Sequence, residues 1–239
     1  MHWLCCGAMN ADLPTSTGSP DAGDLSAHVV YSDTHIVVCD KPAELLSVPG
    51  RGPAKADCLS ARVQAQFADA LVVHRLDMAT SGLIVLARGA AWQRTLSMRF
   101  AARQVHKQYV AVVAGWVRDE AGEIALPLAA DWPNRPRQQV DLGRGKPALT
   151  HWQVMSRDPV AHTTRLLLTP VTGRSHQLRV HLAAIGHPIL GDDLYFSVKQ
   201  AGAEQTSAAP RLLLHASRLD LGPADGDAAA WVFVSPAPF

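Results

Sequence analysis

One carboxylate in this chain stands out by its neighbours. Asp77 lies two residues after Arg75, just past the apolar run Leu71-Val72-Val73. A Thr-Ser-Gly turn and a second apolar run, Leu83 to Ala87, follow it. An Asp in that place is either an ordinary turn cap or the centre of a site. Beside a buried sheet a carboxylate loses hydration and stays ionised only if a cation pairs with it. Arg75 and Arg179 are the available partners. Arg179 follows Arg174, His176 and Gln177 in "GRSHQLRVH", an unusually polar lead into an apolar stripe. Tyr109 opens an apolar run and can bring a ring and a hydroxyl to the same place. An ionised carboxylate can serve as nucleophile or as general base. Taken singly, each residue also has an ordinary role open to it: Asp77 as a cap, Arg179 on the surface, Tyr109 in the core. Spacing alone does not show that they meet.

Other chemistries lack their signatures. There is no phosphate-binding Gly-x-x-x-x-Gly-Lys-Ser/Thr loop, no Gly-x-Gly-x-x-Gly, no Gly-x-Ser-x-Gly and no His-Glu-x-x-His. His176 and His181 are five apart, a spacing that does not put two ligands on one helix face, so no metal site is expected. The four cysteines form no Cys-x-x-Cys pair and read as reduced cytosolic thiols. No apolar stretch approaches the roughly 20 residues of a membrane span, and the opening "MHWLCCGAMN" lacks a secretory pattern. The expected location is the cytoplasm.

The net charge of +1 says nothing by itself about nucleic acid, but its distribution does. Between Met78 and Arg118 there is no acidic residue, while Arg88, Arg94, Arg99, Arg103, Lys107 and Arg118 fall there. Arg135, Arg137, Arg144 and Lys146 form a second cluster opposed only by Asp141. A neutral protein with a basic middle suits a polyanion lying across one face. A solvated helix face would explain the same charges equally well.

The elements that must position these residues read as follows. Residues 1–27 are rich in Ser, Thr, Gly, Pro and Asp without periodicity and are expected to be a disordered tail. "HIVVCDKP" is a strand, and residues 57–68 a helix capped by Asp57 with Leu59, Val63 and Phe67 on one face. "GLIVLAR" is a buried strand. Residues 90–103 are a helix with Trp92, Leu96 and Phe100 as its stripe and Arg99 and Arg103 on another face. "QYVAVVAG" is a strand stopped by Gly115, and "DWPNRPRQ" is a loop. "THWQVM" and "TRLLLTPV" make a strand pair. "TGRSHQLRVHLAAIGHP" is a helix capped by Thr172 and ended by Gly186 and Pro188. "RLLLHASRLDL" and "WVFVSP" are late strands. Strands outnumber helices without alternating with them. The expected class is α+β: one domain over 28–239, with a mixed, mostly antiparallel central sheet, flanking helices and a cleft.

"HRLDMATSGLIVLAR" resembles the catalytic motif of the RluA-type pseudouridine synthases. "KQYVAVVAG", "GRSHQLRVHLAAIGHPILGD" and "RLLLHASRL" resemble the family's other landmarks, in the same order. "DKPAELLSVPGR" is similar to its early Lys-Pro-x-Gly-Leu segment, except that Glu44 stands where the glycine is usual. "DWPNRPRQ" followed by "GKPA" most resembles the subgroup acting on both tRNA and 23S rRNA. Some relatives carry an N-terminal S4 module, and none is expected here. The resemblance implies isomerisation of uridine to pseudouridine in structured RNA loops (a tRNA anticodon stem-loop and a 23S rRNA hairpin), with no cofactor and no metal, by a monomer. It implies Asp77 as the essential carboxylate, attacking C1′ or C6 or removing the C2′ proton. Arg179 is implied as its partner and Tyr109 as the tyrosine stacked on the base. Arg75 is implied as the residue that enters the RNA stack when the uridine leaves. His74, Arg99, Arg103, Lys107, Arg135, Arg137, Arg174 and His176 are implied as RNA contacts. The competing readings are a synthase confined to 23S rRNA, or a non-catalytic RNA-binding or ribosome-assembly protein.

Overall fold

The computed structural model describes residues 29–196, 209–223 and 230–239. The tail expected over 1–27, with Cys5 and Cys6, lies outside them. Val29–Ser32 (β1) turns back into Ile36–Lys41 (β2) through Asp33, whose carboxylate accepts from the His35 and Ile36 amides at 2.7 and 2.8 Å. Leu59–Gln66 (α1) and Ala70–Val72 (β3) follow, then Ser81–Arg88 (β4), Gly89–Ala101 (α2) and His106–Ala114 (β5). Ala121–Ile124 (β6), Leu128–Ala130 (β7), Gln138–Val140 (β8), Thr150–Asp158 (β9) and Thr163–Pro170 (β10) lead to Gln177–Ala184 (α3). Leu214–Pro223 (β11) and Ala230–Val234 (β12) close the described chain.

The main sheet runs β1-β2-β4-β11-β5-β10-β9-β6, with β3 also on β4 and β12 also on β11. Its pairs are antiparallel except β4 with β11, so the sheet is mixed and mostly antiparallel as expected. β7 and β8 pair as a separate ribbon. The continuous apolar runs of β2 and β4 follow from cover on both faces. Val37, Cys39, Ile84 and Leu86 face α1 through Leu59 and Val63. Ile36, Val38, Leu83 and Val85 face α2 through Leu96, with Trp92 and Phe100 beside it. Leu178 and Leu182 of α3 pack on Ala111, Leu166 and Leu168 of β5 and β10. Each fully buried Leu or Ile in these layers contributes roughly 1.5–3 kcal/mol.

Two expected helix caps are corrected. Asp57 does not cap α1, because its carboxylate is taken by the Arg62 guanidinium at 2.7 and 2.8 Å. Cys58 is the cap, its sulfur accepting from the Ala61 amide. Nor does Thr172 cap α3. Its hydroxyl donates to the Gln177 side chain at 2.7 Å, and the helix starts only at Gln177, after His176 at φ 53°. Residues 173–176 therefore form a loop rather than a first turn. The other helix expected at 90–103 spans Gly89–Ala101, with Arg103 beyond it at φ 59°. Glu44 has φ 64°, the left-handed conformation that favours glycine. Holding that conformation with a side chain costs roughly 1–2 kcal/mol.

Candidate active site

Asp77 sits in the connection between β3 and β4, and its neighbours on both sides are tied down. The Ser47 hydroxyl donates to the Leu76 carbonyl at 2.7 Å and accepts from the Leu76 amide at 3.1 Å. Lys41 is fully buried and donates to the carbonyls of Met78, Leu45 and Pro42 at 2.8–2.9 Å. Burial draws its ammonium down to about 8, against the charges of Glu44 and Asp77. Gly82, at φ 108°, lets β4 meet β11 where a side chain would strike the Ala216 backbone at 2.4 Å. The turn bearing Asp77 is therefore anchored from β2 and seated over the one parallel strand pair.

The carboxylate opens into a cleft of about 540 Å³. Arg75, Arg103, Lys107, Arg174 and Arg179 line it together with His74, His176, Phe100 and Tyr109, and among the described residues Asp77 is its only acidic one. One carboxylate among five cations gives a positively charged cleft with a single acid in it, a lining that suits a polyanion. A second groove of about 370 Å³ shares Arg75, Asp77 and His176 and is closed by Arg135, Pro136 and Gln138. Tyr109 stands on the central strand β5, opposite Leu168 and Ala216. Burial, and then the Asp77 charge, push its phenol well above the ordinary value, so it carries its proton at neutral pH.

Arg179 reaches Asp77, but its close partner is another residue. Its Nε and Nη2 donate to Asp192 at 2.8 and 2.7 Å, both side chains being buried. Nη1 lies 4.0 Å from Asp77 Oδ2. Burial opposes the guanidinium charge, and the bonds and charge of Asp192, then Asp77, outweigh it. On the other side His176 Nε2 lies 3.9 Å from Asp77 Oδ1, and His176 Nδ1 lies 2.7 Å from Tyr195 Oη. Each oxygen of Asp77 thus faces one nitrogen group. Asp192 and Tyr195 carry no signal in local periodicity. The one clue is that a buried arginine requires a carboxylate, and "GDDLY" follows α3 with two.

Not every expected RNA contact is brought to the cleft. Arg99 donates to the carbonyls of Leu221 and Pro223 at 3.0 and 2.8 Å, tying α2 to the end of β11, and it does not line the cleft. Arg137 lies over the Tyr195 ring at 5.5 Å, and Arg135 stacks at 3.3 Å on Trp132, which is 69% exposed. Arg174 donates to the Pro147 carbonyl while lining the cleft. Among the described residues no group of three or more metal-capable side chains occurs, and no helix is long and apolar enough to cross a membrane.

His74 lines the cleft but is spent on the fold. Its Nε2 accepts from the Val85 amide at 3.1 Å and its ring stacks on Phe100 at 4.5 Å. Burial, then Lys107, pushes it down to about 3. The unfolded chain takes up this proton near the ordinary value of about 6.5 while the folded chain refuses it. The stability due to neutral His74 is complete above that pH and is lost as pH falls from there towards 3. Between pH 7 and pH 5 this amounts to about 2 kcal/mol at most. His74→Gln keeps an acceptor and has nothing to titrate, so its urea-unfolding free energy is expected to fall less over the same interval. Equal losses in both proteins would refute this.

Known proteins resemble the chain over most of its length. Residues 35–184 match the family described as RNA pseudouridylate synthase. A relative from Yersinia pestis named dual-specificity RNA pseudouridine synthase RluA is 52% identical over 191 residues, covering 80% of this chain and 90% of that one. Its namesake from Escherichia coli K12 is 48% identical over 212 residues, 88% of this chain and 93% of that one. The solved structure of human RNA pseudouridylate synthase domain containing 1 superposes with a TM-score of 0.73 at 26% identity, over 92% of this chain and 87% of that one.

Proposed function

The chain belongs to the RNA pseudouridylate synthase family, an isomerase family acting on RNA, and we propose that it is a dual-specificity synthase whose targets are a tRNA anticodon-loop uridine and a 23S rRNA hairpin uridine. The observation that carries this reading is the cleft with one carboxylate, five cations and the Tyr109 ring. The relatives' names and the Asp131–Arg137 loop support the choice of two RNAs.

The reaction asks little beyond what lines the cleft. The bond between the sugar C1′ and the base N1 breaks, the base turns while held, C5 bonds to C1′, the C5 proton leaves, and N1 takes up a proton. Atoms and electrons balance with no redox partner or group donor. Asp77 carries this chemistry as the cleft's only acidic side chain among the described residues. Tyr109 supports the base with its ring and, being protonated, offers an O–H. Reaching the uridine requires taking it out of the stack, at a cost of a few kcal/mol. Arg75, exposed on the rim between the two grooves, offsets that cost with a planar guanidinium that stacks and hydrogen-bonds in the vacated space. Arg103, Lys107 and Arg174 neutralise phosphates around the opening, and Arg135 does so at the second groove.

The test is to map pseudouridines in a strain lacking the gene. Loss at both an anticodon-loop site and a 23S rRNA site, restored by the gene, is the expected result. Loss at one alone refutes dual specificity. Loss at neither, with no release of tritium from C5-labelled RNA by the purified protein, refutes the synthase reading.

A further inference from the structure

The contacts behind His176 determine which of its nitrogens carries the proton. The Gln138 backbone N–H, which can only donate, gives a hydrogen bond to Tyr195 Oη at 2.7 Å. Tyr195 Oη accepts there and keeps its own proton to give. His176 Nδ1 lies 2.7 Å from that oxygen, and no other acceptor for the hydroxyl is found among the described residues. A phenol proton directed at Nδ1 makes Nδ1 the acceptor, so the proton of neutral His176 sits on Nε2. The other end of the ring requires the same tautomer. Nε2 faces Asp77 Oδ1 at 3.9 Å, where an N–H is attracted and a lone pair repelled. The backbone φ of 53° at His176 and the edge-on packing of its ring against Tyr195 hold this orientation.

We infer that Tyr195 and His176 are positioning residues of the isomerase site: Tyr195 holds His176 in its Nε2–H form, and His176 presents that N–H to Asp77 opposite the Arg179 guanidinium. The inference rests on the isomerase reading of the cleft. It sets the Asp77 carboxylate between two fixed nitrogen groups, 3.9 and 4.0 Å away, and leaves one orientation for its reaction. The relay begins at Gln138, where the Asp131–Arg137 loop ends, so the rim of the second groove is joined to the carboxylate through two side chains.

The relay has a titration signature. The charged and titratable groups that face His176 and Tyr195 are Asp77, Asp192, Arg75, Arg179 and Arg137. Burial lowers the His176 pKa, Asp77 raises it and Arg179 lowers it, with a net shift downwards. Protonating His176 puts a proton on Nδ1 and drives out the bond that Tyr195 donates. The positive charge then on the ring makes the Asp77 carboxylate a weaker nucleophile or base, so activity falls on the acid side as His176 charges. Without the Tyr195 hydroxyl the neutral ring loses its donor, and that acid limb moves to higher pH by roughly one unit, the weight of one net hydrogen bond.

Nitrogen-15 NMR of the full chain with labelled histidines tests the first step without any activity. The His176 signals, assigned by their loss in His176→Gln, should report a protonated Nε2 and a bare Nδ1. An Nδ1–H form in the wild type overturns the inference while leaving its C5-tritium release, and so the synthase reading, intact. Absence of tritium release from every RNA would instead sink the synthase reading. Tyr195→Phe, which keeps the ring, should admit the Nδ1–H form and raise the acid limb. It should also lower kcat roughly tenfold at unchanged KM. His176→Gln, with an amide N–H able to reach the Nε2 position, should keep more activity than His176→Ala and lose the histidine limb. An unmoved limb in Tyr195→Phe, or equal activity in Gln and Ala variants, overturns the inference.

Discussion

Asp77→Asn is expected to abolish tritium release from RNA labelled at uridine C5 while leaving RNA binding within about threefold of the wild type. The substitution keeps the shape and removes the charge. Among the described residues no second acid lines the cleft to take over, so the rate should drop on the order of 10⁴-fold or more, the scale of losing a nucleophile or its base. Binding has a different origin. Arg75, Arg103, Lys107 and Arg174 remain, and removing the only negative charge from their midst weakens no phosphate contact. The salt dependence of binding should keep its slope, since that slope counts neutralised phosphates. Tritium release near the wild-type rate from the Asn variant would remove Asp77 from the chemistry. Loss of binding in parallel with activity would give the residue a structural role instead.

The fold was legible where periodicity and burial agree. The runs around Val37 and Val85 read as strands, and the stripe of Trp92, Leu96 and Phe100 reads as a helix, because each pattern has a period that one element must bury. Helix starts were less legible. Asp57 has the right type for a cap, but a nearer charge, Arg62, competes for it. Thr172 fails because Gln177 offers its hydroxyl a side-chain acceptor first. Of the residues the structure brings to the cleft, Asp77, Tyr109 and Arg179 were legible as polar residues beside apolar runs, each with an ordinary role also open to it. Asp192 and Tyr195 were not, because what makes them matter is a pairing across a turn with a helix thirteen residues back or with the start of β8 fifty-seven residues back. Arg99 shows the converse: its charge was visible, but not the carbonyls of Leu221 and Pro223 that claim it.

Asp192→Asn should be the most destabilising of the single changes around the cleft, because it breaks one half of a buried ion pair. Asp192 is 1% exposed and Arg179 4%. The carboxylate takes two bonds from the guanidinium and two more from the amides of Leu194 and Tyr195, at 3.0 and 3.1 Å. An asparagine amide turned to satisfy one of these sets an N–H against another N–H and leaves the guanidinium charge uncompensated. Breaking such a pair costs about 3–5 kcal/mol. In a chain of this size that is a loss of roughly 10 °C in melting temperature. Urea and thermal unfolding measure it, and a loss below about 1 kcal/mol would mean that the pair does not hold α3 to the segment after it. The double variant Arg179→Met with Asp192→Leu separates stability from function. Replacing both partners removes the buried charge together with its counter-charge, so much of the lost stability should return. Activity should not return with it, because Asp77 Oδ2 would then face a thioether in place of Arg179 Nη1. A double variant that regains both would show that Arg179 serves the fold alone and that His176 suffices to orient the carboxylate.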